Sequence, residues 1–158
     1  MQKVMTRKVR SMVLEGPRKM TMREFNLPTI GPEEALLRVE MCGVCGSDVG
    51  MYNGKLLVPY PIIMGHEILG YIEDIGDLFA ERHQLKQGDR VVVEFTFGCG
   101  YCHQCLLGEY SSCVKGYSYG VSISCNKPPH LWGAYGEYLY LPPRAMVHKI
   151  SPDVPAKA

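Results

Sequence analysis

The sequence has no long hydrophobic run, no excess of charge of one sign and no glycine-rich dinucleotide motif. No window approaches the eighteen or more apolar residues of a membrane-spanning helix, so we expect none. Lys and Arg number 17 and Asp and Glu 16, which leaves a formal net charge of +1. A strongly basic face is typical of proteins that bind nucleic acid or membrane surfaces, so we expect neither partner. The pattern GxGxxG does not occur, and no dinucleotide-binding fold is predicted within these residues.

Size and composition predict one ordinary globular domain. The chain has 158 residues, of which 46% are hydrophobic, enough to bury a core. A basic start with Lys3 and Arg7 leads to an apolar stretch that ends at Glu15 and Gly16. This stretch is too short for a signal-peptide core, so we expect a solvated arm before the first strand. Seven cysteines, an odd number, without signs of an oxidising compartment predict reduced thiols and a cytoplasmic protein.

Four of the cysteines lie in one short segment, FGCGYCHQCLLGEYSSC at 97–113. They follow the spacing C-x2-C-x2-C-x7-C and are Cys99, Cys102, Cys105 and Cys113. This spacing places four thiols on one compact loop, close enough to share a single ion. Zinc prefers four tetrahedral ligands and accepts thiolates, and four cysteines leave no position for a substrate. The segment therefore predicts a lobe that is ordered by a structural zinc.

An iron–sulfur cluster and disulfides are the alternatives for these cysteines. In the bacterial-type iron–sulfur run the fourth cysteine comes after three residues and precedes proline, whereas here seven residues intervene and Val114 follows. Disulfides would leave one of the seven cysteines without a partner. Unligated thiols scattered by chance would rarely place four in so short a window. We therefore favour zinc over both alternatives.

Turn-forming residues divide the sequence into short apolar segments. With 17 Gly and 11 Pro, this rhythm predicts an all-β or β-rich domain. The predicted strands are 9–14, 20–25, 35–41, 68–75, 91–95, 137–141 and 146–150. Gly16 and Pro17 predict the first turn, and the β-branched residues of 91–95 predict burial on both faces. Helix is scarce, and we predict a short one over 47–52, capped by Ser47 or Asp48.

Cys45 and His66 are further candidate metal ligands, although neither has a ligand partner at close sequence spacing. A lone cysteine is usually a small buried side chain, and a lone histidine is more often a hydrogen-bonded structural residue than a ligand. Glycines flank both, at positions 43, 46, 65 and 70. They favour loops that are shaped around a site, where backbone adopts unusual dihedral angles or approaches closely.

Five motifs occur in a set order: CGVCGSD at 42–48, GHE-x2-G-x5-G at 65–76, GDRV at 88–91, the four-cysteine segment, and GAYGEYLYLP at 133–142. In this order they resemble the catalytic, GroES-like domain of the zinc-dependent medium-chain dehydrogenases, the family of alcohol, sorbitol and threonine dehydrogenases. The match runs from about Val9 to Pro155. The resemblance implies one mainly β domain over 1–158, a partly open GroES-like barrel with short helices and a zinc lobe.

The resemblance also implies a catalytic zinc held by Cys45 and His66. Zinc with three protein ligands leaves one position open, and an alcohol bound there loses its proton readily before hydride passes to NAD or NADP. Ser47 takes the place of the hydroxyl that receives this proton; its alternative role is a helix cap. Glu67 takes the place of a carboxylate beside the metal, and its alternative is an exposed strand-end charge. Phe95 takes a substrate-pocket position, and its alternative is a core aromatic.

Two departures from the family pattern concern the reaction. Many members carry a histidine three residues after the relay hydroxyl, where this sequence has Gly50. Proton release would then go through water or another group. The third zinc ligand of the family, Glu or Cys, and its nucleotide-binding Rossmann domain follow a PDVP-like segment, and both are absent from this sequence. We therefore expect the N-terminal catalytic domain of a longer dehydrogenase, inactive alone.

The expected function is that of an NAD(P)-dependent alcohol or polyol dehydrogenase acting on a small molecule, a homo-oligomer at full length and a monomer as this piece. A non-enzymatic zinc-binding module, used as a scaffold or binding domain, is the main alternative. A zinc hydrolase would need Glu67 as its general base. Cys42 and Cys125 are expected to be buried thiols, and Trp132 and Tyr135 to pack or to form part of a substrate wall.

Overall fold

A computed structural model describes residues 7–157 of the chain. In this range the helices are Gly46–Tyr52 (α1), Asp77–His83 (α2) and His103–Leu106 (α3), with a 3-10 helix at Tyr110–Ser112. The strands are Lys8–Gly16 (β1), Lys19–Asn26 (β2), Ala35–Gly43 (β3), Ile62–Ile63 (β4), Glu67–Ile75 (β5), Arg90–Val93 (β6), Thr96–Phe97 (β7), Tyr117–Ser118 (β8), Tyr138–Leu141 (β9) and Val147–Lys149 (β10). Residues 1–6 of the predicted arm lie outside the described residues; Arg7 is exposed, and Lys8 is exposed as the first residue of β1.

The strands form three antiparallel sheets, in the orders β2-β1-β4, β10-β6-β5-β3-β9 and β7-β8. Each of the seven predicted strands is present, so the mainly β prediction is confirmed. The sequence does not predict β4, β7 or β8, because a strand of two residues has no periodicity to detect. The hairpin of β1 and β2 turns at Pro17 and Arg18, next to the predicted position.

The middle of the larger sheet confirms the predicted alternation along β3. Arg38 and Glu40 are exposed, whereas Leu37 is buried in the core and Val39 is half-buried. Leu36 is buried as well, because the pairing of β3 with β5 shifts register between Leu36 and Leu37. The alternation of buried and exposed residues therefore begins at Leu37, after the shift in register, and is absent at Leu36.

One apolar core joins residues of the two larger sheets. Val13, Leu37, Ile72, Val91 and Leu139 are all at most 1% exposed and belong to this cluster. Full burial of such a side chain stabilises the fold by about 1.5–3 kcal/mol. The core therefore holds the sheets together and fixes the ends of β3 and β5, where the candidate site lies.

Two details of the sequence prediction are wrong at β6. The strand ends at Val93, and Val92 on its outer face is 36% exposed, so the strand is not buried on both faces. Phe95 lies beyond the strand and is 49% exposed. Its alternative role as a core aromatic is therefore also wrong, because the chain has already left the sheet at that point.

Helix α2 is missing from the sequence prediction. It begins after Gly76 and buries Phe79 completely in the core. A helix of seven residues shows less than two periods of the 3.6-residue repeat, which explains why periodicity does not reveal it. None of the helices within 7–157 is long and apolar enough to cross a membrane.

Candidate metal centres

The pairing of β3 with β5 brings Cys45 and His66 together. Gly43, the last residue of β3, pairs with Glu67, the first residue of β5. Because the strands are antiparallel, the chain leaves β3 towards Cys45 at the edge where it enters β5 from His66. Cys45, just after β3, and His66, just before β5, thus lie at the same end of the sheet.

A Cys, a His and a Glu converge at this end of the sheet. The Sγ atom of Cys45, a ring nitrogen of His66 and a carboxylate oxygen of Glu67 all lie within 4.8 Å of one another. Cys45 and His66 are half-buried and Glu67 is exposed. Sulfur, imidazole and carboxylate are all ligands of zinc, so the donor set fits this ion. Glu67 is thus an exposed charge at the end of a strand, as its alternative role predicted, and its place beside a metal stays a prediction.

The two ring nitrogens of His66 face different groups. Nε2 lies 3.3 Å from the hydroxyl oxygen of Ser47, and Nδ1 lies 3.6 Å from Oδ1 of Asp48. Asp48 is only 3% exposed. Metal-binding histidines commonly direct their second nitrogen to a carboxylate, which sets the tautomer and the ring orientation. The arrangement leaves Nε2 as the atom available to a metal.

Asp48 is a site residue that the sequence prediction considers only as a helix cap. The residue at the cap of α1 is Cys45, and its backbone N–H donates to Oδ2 of Asp48 at 2.8 Å. The prediction that Ser47 or Asp48 occupies the cap is therefore wrong, and the hydroxyl of Ser47 faces His66 instead. One carboxylate thus holds the backbone of one candidate ligand and faces the imidazole of the other.

An open cleft of about 440 Å³ adjoins His66 and Glu67. The ring of Phe95 forms part of its wall, with its centroid 5.8 Å from that of His66. Apolar side chains of β6 and of the segment after β10 form the opposite part, namely Val92, Val93, Ile150 and Val154. The cleft therefore offers an apolar surface directly beside the Cys, His and Glu cluster.

The four cysteines of the lobe form a second cluster. One sulfur from each of Cys99, Cys102, Cys105 and Cys113 lies within 4.8 Å of the others. Sγ of Cys102 and Sγ of Cys113 are 3.7 Å apart. Ligands about 2.3 Å from a central zinc at tetrahedral angles are about 3.8 Å from each other. The geometry therefore fits zinc, and all seven cysteines in the described part of the chain are free of disulfides.

Backbone N–H groups stabilise thiolates within the lobe. The N–H of Tyr101 is the main cause that lowers the pKa of Cys99 to about 6, and the N–H of Cys99 lowers the pKa of Cys113. Burial acts in the opposite direction on Cys105 and raises its pKa to about 11. Since zinc binds the thiolate form, the donors around Cys99 and Cys113 favour ligation at neutral pH.

The lobe contacts the barrel through a few side chains. The hydroxyl of Tyr110 donates to Oε2 of Glu94 at 2.5 Å, and Glu94 in turn lies 2.6 Å from Nε2 of His148 on β10. A cavity of about 520 Å³ is lined by residues of the lobe, of α2 and of the 143–146 loop. This cavity is larger than the cleft beside His66 and lies away from Cys45 and His66.

Two further cysteines, Cys42 and Cys125, and two aromatic residues, Trp132 and Tyr135, have mainly structural roles. Cys125 is buried, whereas Cys42 is half-buried and its pKa is raised to about 11, mainly by burial. Trp132 is 6% exposed and belongs to the main core, which confirms packing as its role. Tyr135 lies behind Gly65, in contact with the residues that precede the two candidate ligands.

Comparison with known proteins places this geometry in a family. Residues 31–152 match the alcohol dehydrogenase GroES-like domain. The chain belongs to that family. A probable alcohol dehydrogenase of Mycobacterium tuberculosis is 42% identical over 149 residues, which cover 92% of this GroES-like chain and 40% of the relative. The resemblance seen in the sequence is therefore confirmed, together with the fold that it implies.

Solved structures agree with this GroES-like assignment. An alcohol dehydrogenase from Thermotoga maritima superposes with a TM-score of 0.82 at 33% identity, over 94% of this chain and 42% of that one. A short chain alcohol dehydrogenase of Escherichia coli, in complex with NADH, superposes with a TM-score of 0.76 at 30% identity, over 94% of this chain and 40% of that one. The GroES-like chain thus spans about two fifths of the length of the relatives that it matches.

Proposed function

We propose that this chain is the catalytic domain of a zinc-dependent, NAD(P)-linked dehydrogenase that oxidises a small alcohol or polyol to a carbonyl compound. The observation that carries the proposal is the convergence of Cys45, His66 and Glu67 beside an open cleft. The donor set suits a zinc that keeps one position for a substrate. The enzyme names of the relatives favour this function over a non-enzymatic scaffold, and no observation favours a hydrolase.

The proposed division of labour follows the geometry. Cys45 and Nε2 of His66 hold the zinc, and Asp48 keeps His66 in the orientation and tautomer that this requires. When bound, zinc supplies a Lewis acid that lowers the pKa of a substrate hydroxyl. Ser47, 3.3 Å from His66, accepts the released proton and passes it to water, because Gly50 provides no further acceptor.

The remaining site residues shape the site around the substrate. Glu67 lies close enough to Cys45 and His66 to serve as a ligand or to remain beside the metal. Phe95 lies along the cleft and contacts the carbon skeleton of the substrate. In the lobe, Cys99, Cys102, Cys105 and Cys113 hold a second zinc, which orders the loop and takes no part in the chemistry.

The nicotinamide cofactor and the third zinc ligand belong, in this proposal, to the part of the relatives that this chain does not match. The relative solved with NADH supports a nicotinamide cofactor, and the choice between NAD and NADP is left to experiment. We further propose a cytoplasmic protein that forms a homo-oligomer at full length. Because the relatives are more than twice as long as their matched region, hydride transfer requires residues other than those described here.

Zinc content per chain tests the proposal directly. Elemental analysis on protein of confirmed mass should give two zinc ions, and Cys45→Ser should remove one of them while the circular dichroism spectrum stays unchanged. In the full-length enzyme the same variant should abolish alcohol-dependent reduction of NAD or NADP. Two zinc ions in Cys45→Ser, or unchanged turnover, would overturn the assignment of the catalytic centre.

A further inference from the structure

Tyr135 contacts both of the loops that carry the candidate ligands. Its hydroxyl donates to the carbonyl oxygen of Gly43 at 3.4 Å, two residues before Cys45. Its ring lies against Gly65, the residue before His66. Its backbone N–H donates to the carbonyl of Met64 at 2.9 Å, which holds Tyr135 against the segment that leads to His66. A single side chain thus spans the loop of Cys45 and the loop of His66.

The close approach at Gly65 is possible only because this residue is a glycine. Its φ angle is +91°, in the region that side chains disfavour. A Cβ atom at this position would lie 2.5 Å from Cδ1 of Tyr135 and 2.9 Å from Sγ of Cys42. The ring of Tyr135 therefore occupies the space that a side chain at position 65 would need.

A carboxylate adjoins the hydroxyl of Tyr135. Burial is the main cause that raises the pKa of Tyr135, and the nearby carboxylate of Asp48 raises it further. A tyrosine with an ordinary pKa near 10 is already protonated at neutral pH, so the hydroxyl donates to Gly43 with or without this shift. Asp48 also faces His66 and accepts from Cys45, so Tyr135 adjoins the same carboxylate that connects both candidate ligands.

We propose that Tyr135 is a positioning residue for the catalytic metal centre: it holds the Cys45 and His66 loops at the separation at which both side chains reach one ion. This inference rests on the proposed function, because it presupposes a metal at Cys45 and His66. Tyr135 lies behind the ligands and does not form part of the substrate wall that the sequence suggested. Its ring sets the position of Gly65, and its hydroxyl sets that of Gly43.

Two substitutions separate the contribution of the hydroxyl from that of the ring. Tyr135→Phe removes the hydroxyl, and with it the long 3.4 Å hydrogen bond to Gly43 and the phenol beside Asp48, so metal binding should weaken by about two- to fivefold. Tyr135→Leu also removes the ring, and we expect a loss of about tenfold or more. Tyr140→Phe is the matched control, since its hydroxyl donates to Glu34 at 2.6 Å at the other end of β3.

The measurement is competition of the protein with a chromophoric chelator for zinc, together with the absorption spectrum of the Co²⁺-loaded protein. The zinc affinity and the Co²⁺ absorption that disappear in the Cys45→Ser variant are those of the catalytic centre. In Tyr135→Leu we expect the zinc affinity of that centre to fall and its Co²⁺ spectrum to change, while the zinc affinity of the lobe stays at the wild-type value. In Tyr140→Phe we expect wild-type affinities and a wild-type spectrum. A residue that merely packs would lower the unfolding temperature and leave the spectrum unchanged.

The outcomes distinguish this inference from the proposed function. Because the third ligand is proposed to lie outside this chain, the comparison is made in the full-length enzyme, where equal metal content in wild type and Cys45→Ser would overturn the proposed function and the inference with it. If the wild type binds one more ion than Cys45→Ser, but both Tyr135 variants match the wild type in affinity and spectrum, only the inference is overturned. Equal losses in Tyr135→Leu and in Tyr140→Phe would also overturn it, because the effect would then be general.

Discussion

Oδ1 of Asp48 lies 3.6 Å from Nδ1 of His66, and neither atom has a hydrogen-bond partner among the described residues. Both atoms are shielded from solvent. A buried carboxylate oxygen without a donor is costly, and a neighbouring imidazole N–H offsets that cost only when the two approach closely. The pair therefore gains most when the other nitrogen of His66 is engaged by a metal and the ring is held still.

Replacement of Asp48 should weaken the catalytic metal centre selectively. Asp48→Asn keeps an oxygen for the N–H of Cys45 but removes the charge that faces His66, and we expect about 10- to 100-fold weaker zinc binding. Zinc competition titrations measure this. Asp74→Asn, at an exposed position of β5, serves as the control and should bind as the wild type does. Equal affinities for the two variants would contradict a role for Asp48 at the metal.

Loss of one lobe cysteine should remove the structural zinc and destabilise the lobe. Structural zinc sites contribute about 10–16 kcal/mol of apparent binding free energy, so Cys102→Ser should release its metal and lower the unfolding temperature. His103→Ala changes an exposed neighbour that lies outside the cysteine cluster, and it should retain two zinc ions. A Cys102→Ser protein that keeps its lobe metal but loses turnover would disprove the structural assignment.

The contact between Tyr110 and Glu94 should make lobe docking depend on pH. The Tyr110 hydroxyl is the main cause that lowers the pKa of Glu94, with a further contribution from His148. A carboxylate with a lowered folded-state pKa stabilises the fold above its unfolded pKa of about 4.3, and the effect disappears as pH falls through the folded-state value.

Thermal unfolding at several pH values tests this contact. Because Glu94 is partly exposed and screened by solvent, Tyr110→Phe should cost only about 1 kcal/mol near pH 7. The difference from wild type should shrink below about pH 4.5 and vanish once Glu94 is protonated in both states. A difference that stays constant down to pH 2 would show that ring packing, and not the hydrogen bond, accounts for it.

The glycine at position 65 should be far less replaceable than another glycine of similar backbone conformation. Gly88 has a φ of +88° with open space where a Cβ would lie, so Gly88→Ala should cost only the conformational strain of about 1–2 kcal/mol. Gly65→Ala adds the overlap with Tyr135 and should cost about 2–3 kcal/mol more. Urea unfolding of the two variants measures the difference. Equal losses would show that the ring of Tyr135 moves away without cost.

The parts of the fold that sequence predicts well are those set by local patterns. Period-two alternation and turn residues locate the long strands β1, β2, β3 and β5, because each pattern lies within a single segment. The four lobe cysteines are equally local, since they lie on one short loop. Helix α2 is not predicted, because its position depends on the burial of Phe79 in a core that residues distant in sequence form.

The candidate catalytic centre cannot be predicted from local sequence patterns alone. Only the register of β3 against β5 brings Cys45 next to His66, and this pairing is a property of the folded sheet. The prediction that Cys45 and His66 bind one metal therefore rests on resemblance to known motifs, because their sequence spacing does not indicate it. Asp48 and Tyr135 are missed for the same reason, because their contacts with His66 and with Gly65 join segments that no spacing rule connects.

The two clusters differ in how far apart their members lie along the chain, and this affects which parts of the fold each one needs. The outermost lobe ligands, Cys99 and Cys113, are 14 residues apart, so a short closed loop suffices to gather all four thiols. Cys45 and His66 meet only after β3 has paired with β5. Under the proposed function, the lobe thiols can therefore gather around zinc without the larger sheet, whereas the site of Cys45 and His66 needs β3 and β5 to be paired.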